Sequence, residues 1–236
     1  MSDWVIEWFC PILGTALADF MWVVSIGAVL ECRKNQSLGA LDPIPFVMML
    51  ANCLIWVIYS MYIKDYFVFM ANFPGIILPM FYTITAMVLL GKAGDEESEK
   101  KYLLVERMLM TIITLYTVLS LFVGITITDV DLATTIVGST AMGINILYYA
   151  SPCNNLLEIW RSGDASGLYL PMLLANLATA CCWFGYSMFA LHDVFIYGPN
   201  CVGIVLTSIT IFTKLYLGDK RSAGHTPLLK TDEDFN

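Results

Sequence analysis

The chain has 236 residues, 58% of them hydrophobic and only 14% charged, with a net charge of −8 and mean hydropathy +0.71. Soluble domains carry about 25% charged residues, so this composition belongs in a membrane, and the acidic balance leaves no basic footprint for a nucleic acid. The seven cysteines are odd in number, lie largely in apolar runs and include no Cys-x-x-Cys pair, so neither a disulfide framework nor a metal centre is expected.

A helix needs about 20 apolar residues to cross the hydrocarbon. Such stretches can be laid down seven times, over 10–30, 43–63, 66–90, 102–123, 132–151, 168–191 and 194–217. The first begins without Lys or Arg, carrying only Asp3 and Glu7, so it does not resemble a cleaved signal peptide. Polar clusters separate most of the stretches, and the acidic run Asp95-Glu96-Glu97-Ser98-Glu99 is expected to be a solvated loop. The joints at Lys64-Asp65 and His192-Asp193 are very tight.

Positive charge orients the chain, because Lys and Arg in short loops stay cytoplasmic. Arg33, Lys34, Lys92, Lys100, Lys101, Arg107, Arg161, Lys214, Lys220, Arg221 and Lys230 fall on one side, and Lys64 alone on the other. The N-terminus is therefore expected outside and the C-terminus in the cytoplasm. The expected location is the plasma membrane, with an endomembrane as the alternative.

Internal repetition is the most informative feature. Trp56, Tyr59, Asp65, Asn72 and Gly75 recur as Trp183, Tyr186, Asp193, Asn200 and Gly203, with nearly the same spacing. Leu50-Ala51-Asn52 recurs as Leu174-Ala175-Asn176. The expected fold is all-α: seven transmembrane helices in two parallel three-helix units joined by a linker helix. The first unit is 1–91, the loop and linker helix 92–131, the second unit 132–217, and 218–236 a disordered tail. Parallel repeats enclose a path at their interface, where transporters hold substrate.

At 1.5 Å per residue, Trp56 lies about 10–12 Å below the turn at Lys64, and Asn72 lies at a similar depth on the next helix. Trp183 and Asn200 repeat this arrangement, Trp183 a turn deeper by sequence count. A carboxamide offers donors and acceptors without charge, which suits hydroxyl groups, and an indole offers a flat face for a sugar ring. Tyr59 and Tyr186 lie a turn above this layer, and Lys64 facing Asp193 forms a rim pair, so these four read as an outer gate. Pro45 and Pro171 stand in the first turns of the second and sixth helices and Pro152 at the end of the fifth, as hinges or as helix starts. Asp19 is an acid inside the first span and a candidate proton site.

These residues resemble the SWEET sugar transporters (MtN3/saliva family, within the PQ-loop superfamily). Tyr149-Ala150-Ser151-Pro152, Trp183-Phe184-Gly185-Tyr186 and Gly198-Pro199-Asn200 look like that family's signatures. The resemblance implies facilitated, bidirectional sugar movement by alternating access, without ATP or an obligatory ion gradient. His192 and His225 are the two histidines and no metal or nucleophile constellation forms around them, so neither an enzyme nor a cofactor is expected. The resemblance places Asn72, Asn200, Trp56 and Trp183, together with Asn52 and Thr179, in the sugar pocket, and Tyr59, Lys64, Tyr186 and Asp193 at the extracellular gate. It makes Pro45, Pro152 and Pro171 three of four hinge prolines, with Ser25 standing where the fourth would be. The expected partners are a small sugar, membrane lipid and a second copy of the chain. The rival reading is a proton-coupled carrier of amino acids or other small solutes, which would use Asp19. A seven-span receptor ranks below both, because it needs no parallel repeat.

Overall fold

The computed structural model describes residues 4–39, 41–150 and 153–218. Within them the protein is entirely helical, and seven helical stretches are long and apolar enough to cross a membrane. The expected hinge Pro152 and the expected tail beyond Gly218 lie outside the described residues.

A single π turn, Val5–Phe9, leads into α1 (Cys10–Val24), and α2 (Ile26–Asn35) completes the first span. The two helices part at Ser25, so the span breaks at the place where the expected fourth proline is missing. The second span is α3 (Ile44–Ile63), and the third is α4 (Tyr66–Asn72) followed by α5 (Pro74–Ala93). Helix α6 (Glu96–Thr126) is the fourth span, and α7 (Val130–Ala150) is the fifth. A short helix, α8 (Cys153–Ser162), precedes α9 (Leu170–Tyr186), which runs into a second π turn, Ser187–Leu191. Helix α10 (Val194–Leu217) is the last span.

Two sequence expectations change. The acidic run is not a loop: Asp95 caps α6, accepting from the Ser98 amide and hydroxyl at 2.9 and 2.7 Å, and Glu96, Glu97 and Glu99 form its first turn. Negative charge there complements the positive end of the helix dipole, and the Ser98 bonds hold the Asp95 carboxyl below its ordinary range. The polar stretch after the fifth span is likewise partly helical, as α8. Pro45 and Pro171 both occupy the first turn of their helices, where the missing N–H has no intrahelical partner to lose.

Packing follows the repeat. In the first unit α4 and α5 lie between α1 and α3, and in the second α10 lies against both α7 and α9. Across the interface the first helix of each unit meets the second of the other, α1 on α9 and α3 on α7. Helix α6 stands outside against α3, α5 and α7, and its wide apolar face is exposed, as expected of a helix solvated by lipid. The protein is a multi-pass membrane protein.

Two close approaches lock the units. A Cβ on Gly75 of α5 would meet Trp22 of α1 at 3.0 Å, and one on Gly203 of α10 would meet the Tyr149 ring of α7 at 2.6 Å. Trp22 and Tyr149 hold equivalent places in the two units, so each third helix needs glycine where an aromatic ring of its first helix crosses it.

Candidate functional site

The turns between the second and third helices of each unit are built alike. Lys64 and His192 end their helices in the left-handed conformation, at φ 55° and 54°. Asp65 and Asp193 then cap the next helices, accepting from the amides of Val68 and Phe195. The second carboxylate oxygen of each aspartate is left for the other unit. Tyr59 Oη donates to Asp193 Oδ2 at 2.6 Å, and Tyr186 Oη donates to Asp65 Oδ2 at 2.5 Å. Both bonds are charge-assisted, and each ties a second helix to the opposite third helix.

Aromatic rings fill the remaining space on this plug. Phe195 meets the Tyr59 ring edge-on at 6.1 Å, and Phe67 meets the Tyr186 ring edge-on at 5.9 Å. Beneath them Trp56 packs against Tyr59 and Trp183 against Tyr186, at 5.7 and 6.0 Å. The two halves thus match ring for ring. Lys64 takes no part: the ion pairs seen include Lys100–Glu96 and Lys101–Glu97 on α6, and neither involves Lys64. The partner of Asp193 is Tyr59 rather than Lys64, and the anion that completes the plug is Asp65.

One extra residue separates Trp183 from Asp193 compared with Trp56 and Asp65. The π turn Ser187–Leu191 absorbs it, since a π bulge accommodates an additional residue within one turn. Trp183 therefore sits beneath Tyr186 as Trp56 sits beneath Tyr59, and the turn of extra depth expected from residue counting does not arise.

Below the plug lies a cavity of about 170 Å³. A single water needs about 10–15 Å³ on this kind of measure, so the space suits a small solute. Trp56, Trp183, Asn52, Thr179, Asn72 and Asn200 all line it. Asn72 Nδ2 donates to the Val68 carbonyl and Asn200 Nδ2 to the Ile196 carbonyl, both at 2.8 Å and both four residues back. These bonds fix the orientation of each carboxamide. Asn52 Oδ1 is buried without a partner.

Further residues join this set. Asn145 and Tyr148 of α7 and Asn176 of α9 line the cavity, as do Trp22 and Ser25 of the first span. Measured from the tryptophans, Asn52 corresponds to Thr179, and Asn176 corresponds to Met49, which also lines the cavity. The repeated Leu-Ala-Asn strings are therefore offset by three residues, and Asn176 faces inward because positions i, i+3 and i+7 share a helix face. Asp19 lies outside the lining, which contains no charged side chain. Among the described residues no group of His, Cys, Asp or Glu could hold a metal ion.

The chemistry of the space is thus that of neutral hydrogen bonding between aromatic walls. Five carboxamides and a threonine hydroxyl supply acceptors and donors, and two indoles cover them from the plug side.

Comparison with known proteins bears on the family and the fold. The family model described as "Sugar efflux transporter for intercellular exchange" (MtN3_slv) matches residues 9–93 and 135–221. Sugar transporter SWEET1 of Dictyostelium discoideum is 21% identical over 209 residues, covering 88% of this chain and 91% of that protein. Bidirectional sugar transporter SWEET2a of Oryza sativa subsp. indica is 24% identical over 225 residues, covering 93% and 88%. The 3.7 Å structure of a eukaryotic SWEET transporter superposes with a TM-score of 0.77 at 21% identity, covering 89% of this chain and 95% of that one. By the family match over both three-helix units, this chain belongs to the SWEET family of sugar efflux transporters.

Proposed function

We propose that the protein is a facilitative, bidirectional sugar transporter working by alternating access, with the cavity as its single substrate site. The observation that carries this reading is the matched pair Asn72 and Asn200, each back-bonded to its own helix at 2.8 Å in an uncharged cavity beneath a closed aromatic plug. A pyranose presents hydroxyl groups to carboxamides and C–H faces to indoles, and it brings no charge that the lining would have to neutralise. A free amino acid would bring a carboxylate and an ammonium into a lining with no ionic partner for either, which counts against the rival carrier.

In this reading Tyr59, Tyr186, Asp65 and Asp193 form the extracellular gate in its closed state, and the N-terminus is outside. Ser25 and the prolines at the opposite ends of the helices let the units rock. Opening breaks the two tyrosine–aspartate bonds while the caps of α4 and α10 persist, because each aspartate uses a different oxygen for its cap.

The test is uptake of labelled glucose and sucrose into proteoliposomes, with and without an inward proton gradient, with Asn200→Ala as the blank. Equilibration without accumulation, lost in Asn200→Ala, is the expected result. Accumulation only under the gradient, or undiminished flux in Asn200→Ala, would overturn the uniporter or the site respectively.

A further inference from the structure

Three buried side-chain oxygens in the described residues have no hydrogen-bond partner: Thr15 Oγ1, Asp19 Oδ1 and Asn52 Oδ1. Asn52 belongs to the cavity. Thr15 and Asp19 do not, and they lie one turn apart on α1. The second unit shows that the fold does not require them. With Trp56 and Trp183 as the register, the places of Thr15, Asp19 and nearby Cys53 are taken by Met142, Ile146 and Ala180. An acid has been placed where the matching helix of the other unit uses an isoleucine.

No charged group answers it. Helices α3, α4 and α9 contain no Asp, Glu, Lys, Arg or His, and α5 contains only Lys92, in its last turn. Glu7 in the first π turn and Glu31 in α2 are each twelve residues away, about 18 Å along the helix. The remaining titratable groups are otherwise engaged or remote. Tyr82 of α5 donates to the Trp22 carbonyl, Tyr186 of α9 to Asp65, and Tyr59 of α3 to Asp193. Cys182 of α9 lies beside Gly14, more than a turn away, and Tyr66 of α4 is exposed. Cys53 of α3 lies close to Asp19.

A metal cation does not fit this place. Hard cations take about six oxygen ligands, and Thr15 and Asp19 offer three oxygens beside a thiol. A proton needs only one.

The place is wired to the cavity wall. Trp22 follows Asp19 by one turn, and its Nε1 donates to the Ala71 carbonyl at 3.0 Å, next to Asn72. The same indole meets Gly75, where a Cβ would also strike Cys53. Helices α1, α3 and α5 meet closely at Gly75. Although Asp19 as a whole is half-buried, its Oδ1 is enclosed without a partner, so ionisation would favour a shift of α1 that brings this oxygen to water.

We propose that Asp19 is a proton switch. In its protonated form it holds α1 in the closed-gate packing, in its ionised form it disfavours that packing, and pH thereby sets the rate of sugar exchange. The proton acts on helix packing and not on the sugar, because Asp19 stands behind the cavity wall. For its flux readout the inference rests on the sugar-transport reading, so a second readout independent of any sugar is needed.

That readout is the infrared spectrum of the purified protein near pH 7, as a difference between wild type and Asp19→Asn. Asp19→Ile, which copies the second unit, serves as the alternative variant. A protonated carboxylic acid C=O band present in wild type and missing from the variant is expected. Its absence overturns the proposal whether or not sugar is carried. In proteoliposomes equilibrated on both sides, wild-type exchange should slow several-fold from about pH 5 to about pH 8, and Asp19→Asn should keep the faster rate throughout. A pH-independent wild type, or a variant with the wild-type pH profile, would overturn it equally.

Discussion

Replacing Tyr59 by Phe keeps the ring, and with it the edge contacts to Trp56 and Phe195, and removes only the hydroxyl that donates to Asp193 at 2.6 Å. A hydrogen bond to a charged group contributes about 1.5–3 kcal/mol. In the proposed gate that bond exists only in the closed state, so its loss should move the closed-to-open ratio by about 10- to 150-fold. Asp193 stays capping α10 through its other oxygen, so the fold itself should be little affected. The assay is modification of Val68→Cys, which faces the cavity beneath the plug, by a membrane-impermeant maleimide added from outside. Peptide-resolved mass spectrometry lets the native cysteines act as internal controls. Tyr59→Phe should speed labelling by about the same factor, and adding Asp193→Asn should speed it little further, since the pair is already broken. Unchanged or slower labelling would refute the idea that the tyrosine–aspartate bonds hold the gate.

Other variants probe the same design. A Cβ on Gly138 of α7 would stand 2.7 Å from Phe195 and 2.8 Å from Tyr59, so Gly138→Ala should overpack the plug by about 1–3 kcal/mol and raise outside labelling as Tyr59→Phe does. Gly203→Ala drives a methyl against the Tyr149 ring at 2.6 Å and should lower the thermal stability of the detergent-purified protein. Lys64 has no ion-pair partner, so Lys64→Ala should leave exchange within about twofold, where removing an exposed charge usually falls. A large rate loss there would restore Lys64 to the gate.

The parts of this structure visible in the sequence are those written by hydropathy and repetition. Seven apolar runs needed only the thickness of a bilayer, and the Trp–Tyr–Asp–Asn–Gly order brought the two units into register. The cavity residues followed because a Trp and an Asn at similar depth on neighbouring helices must meet between the units. The rim was harder. Charge alone suggests Lys64 opposite Asp193, but the left-handed turn commits Lys64 to ending α3, and the capping geometry of Asp65 frees an oxygen for Tyr186. The equal depth of Trp183 depends on a π turn that residue counting cannot show. Asn145 has no polar counterpart in the first unit, where Ala18 stands in its place, so no repeat marked it. The break at Ser25 comes without the proline that would have announced it.

The most direct test is counterflow. Proteoliposomes loaded with unlabelled glucose are diluted into a trace of labelled glucose, and the label inside is followed with time. A carrier that alternates one site between two faces gives a transient overshoot of label, and Asn72→Ala or Asn200→Ala should abolish it while leaving the protein folded. Uptake that rises to equilibrium without overshoot, or an overshoot that survives both substitutions, would contradict a single alternating site built on the paired asparagines.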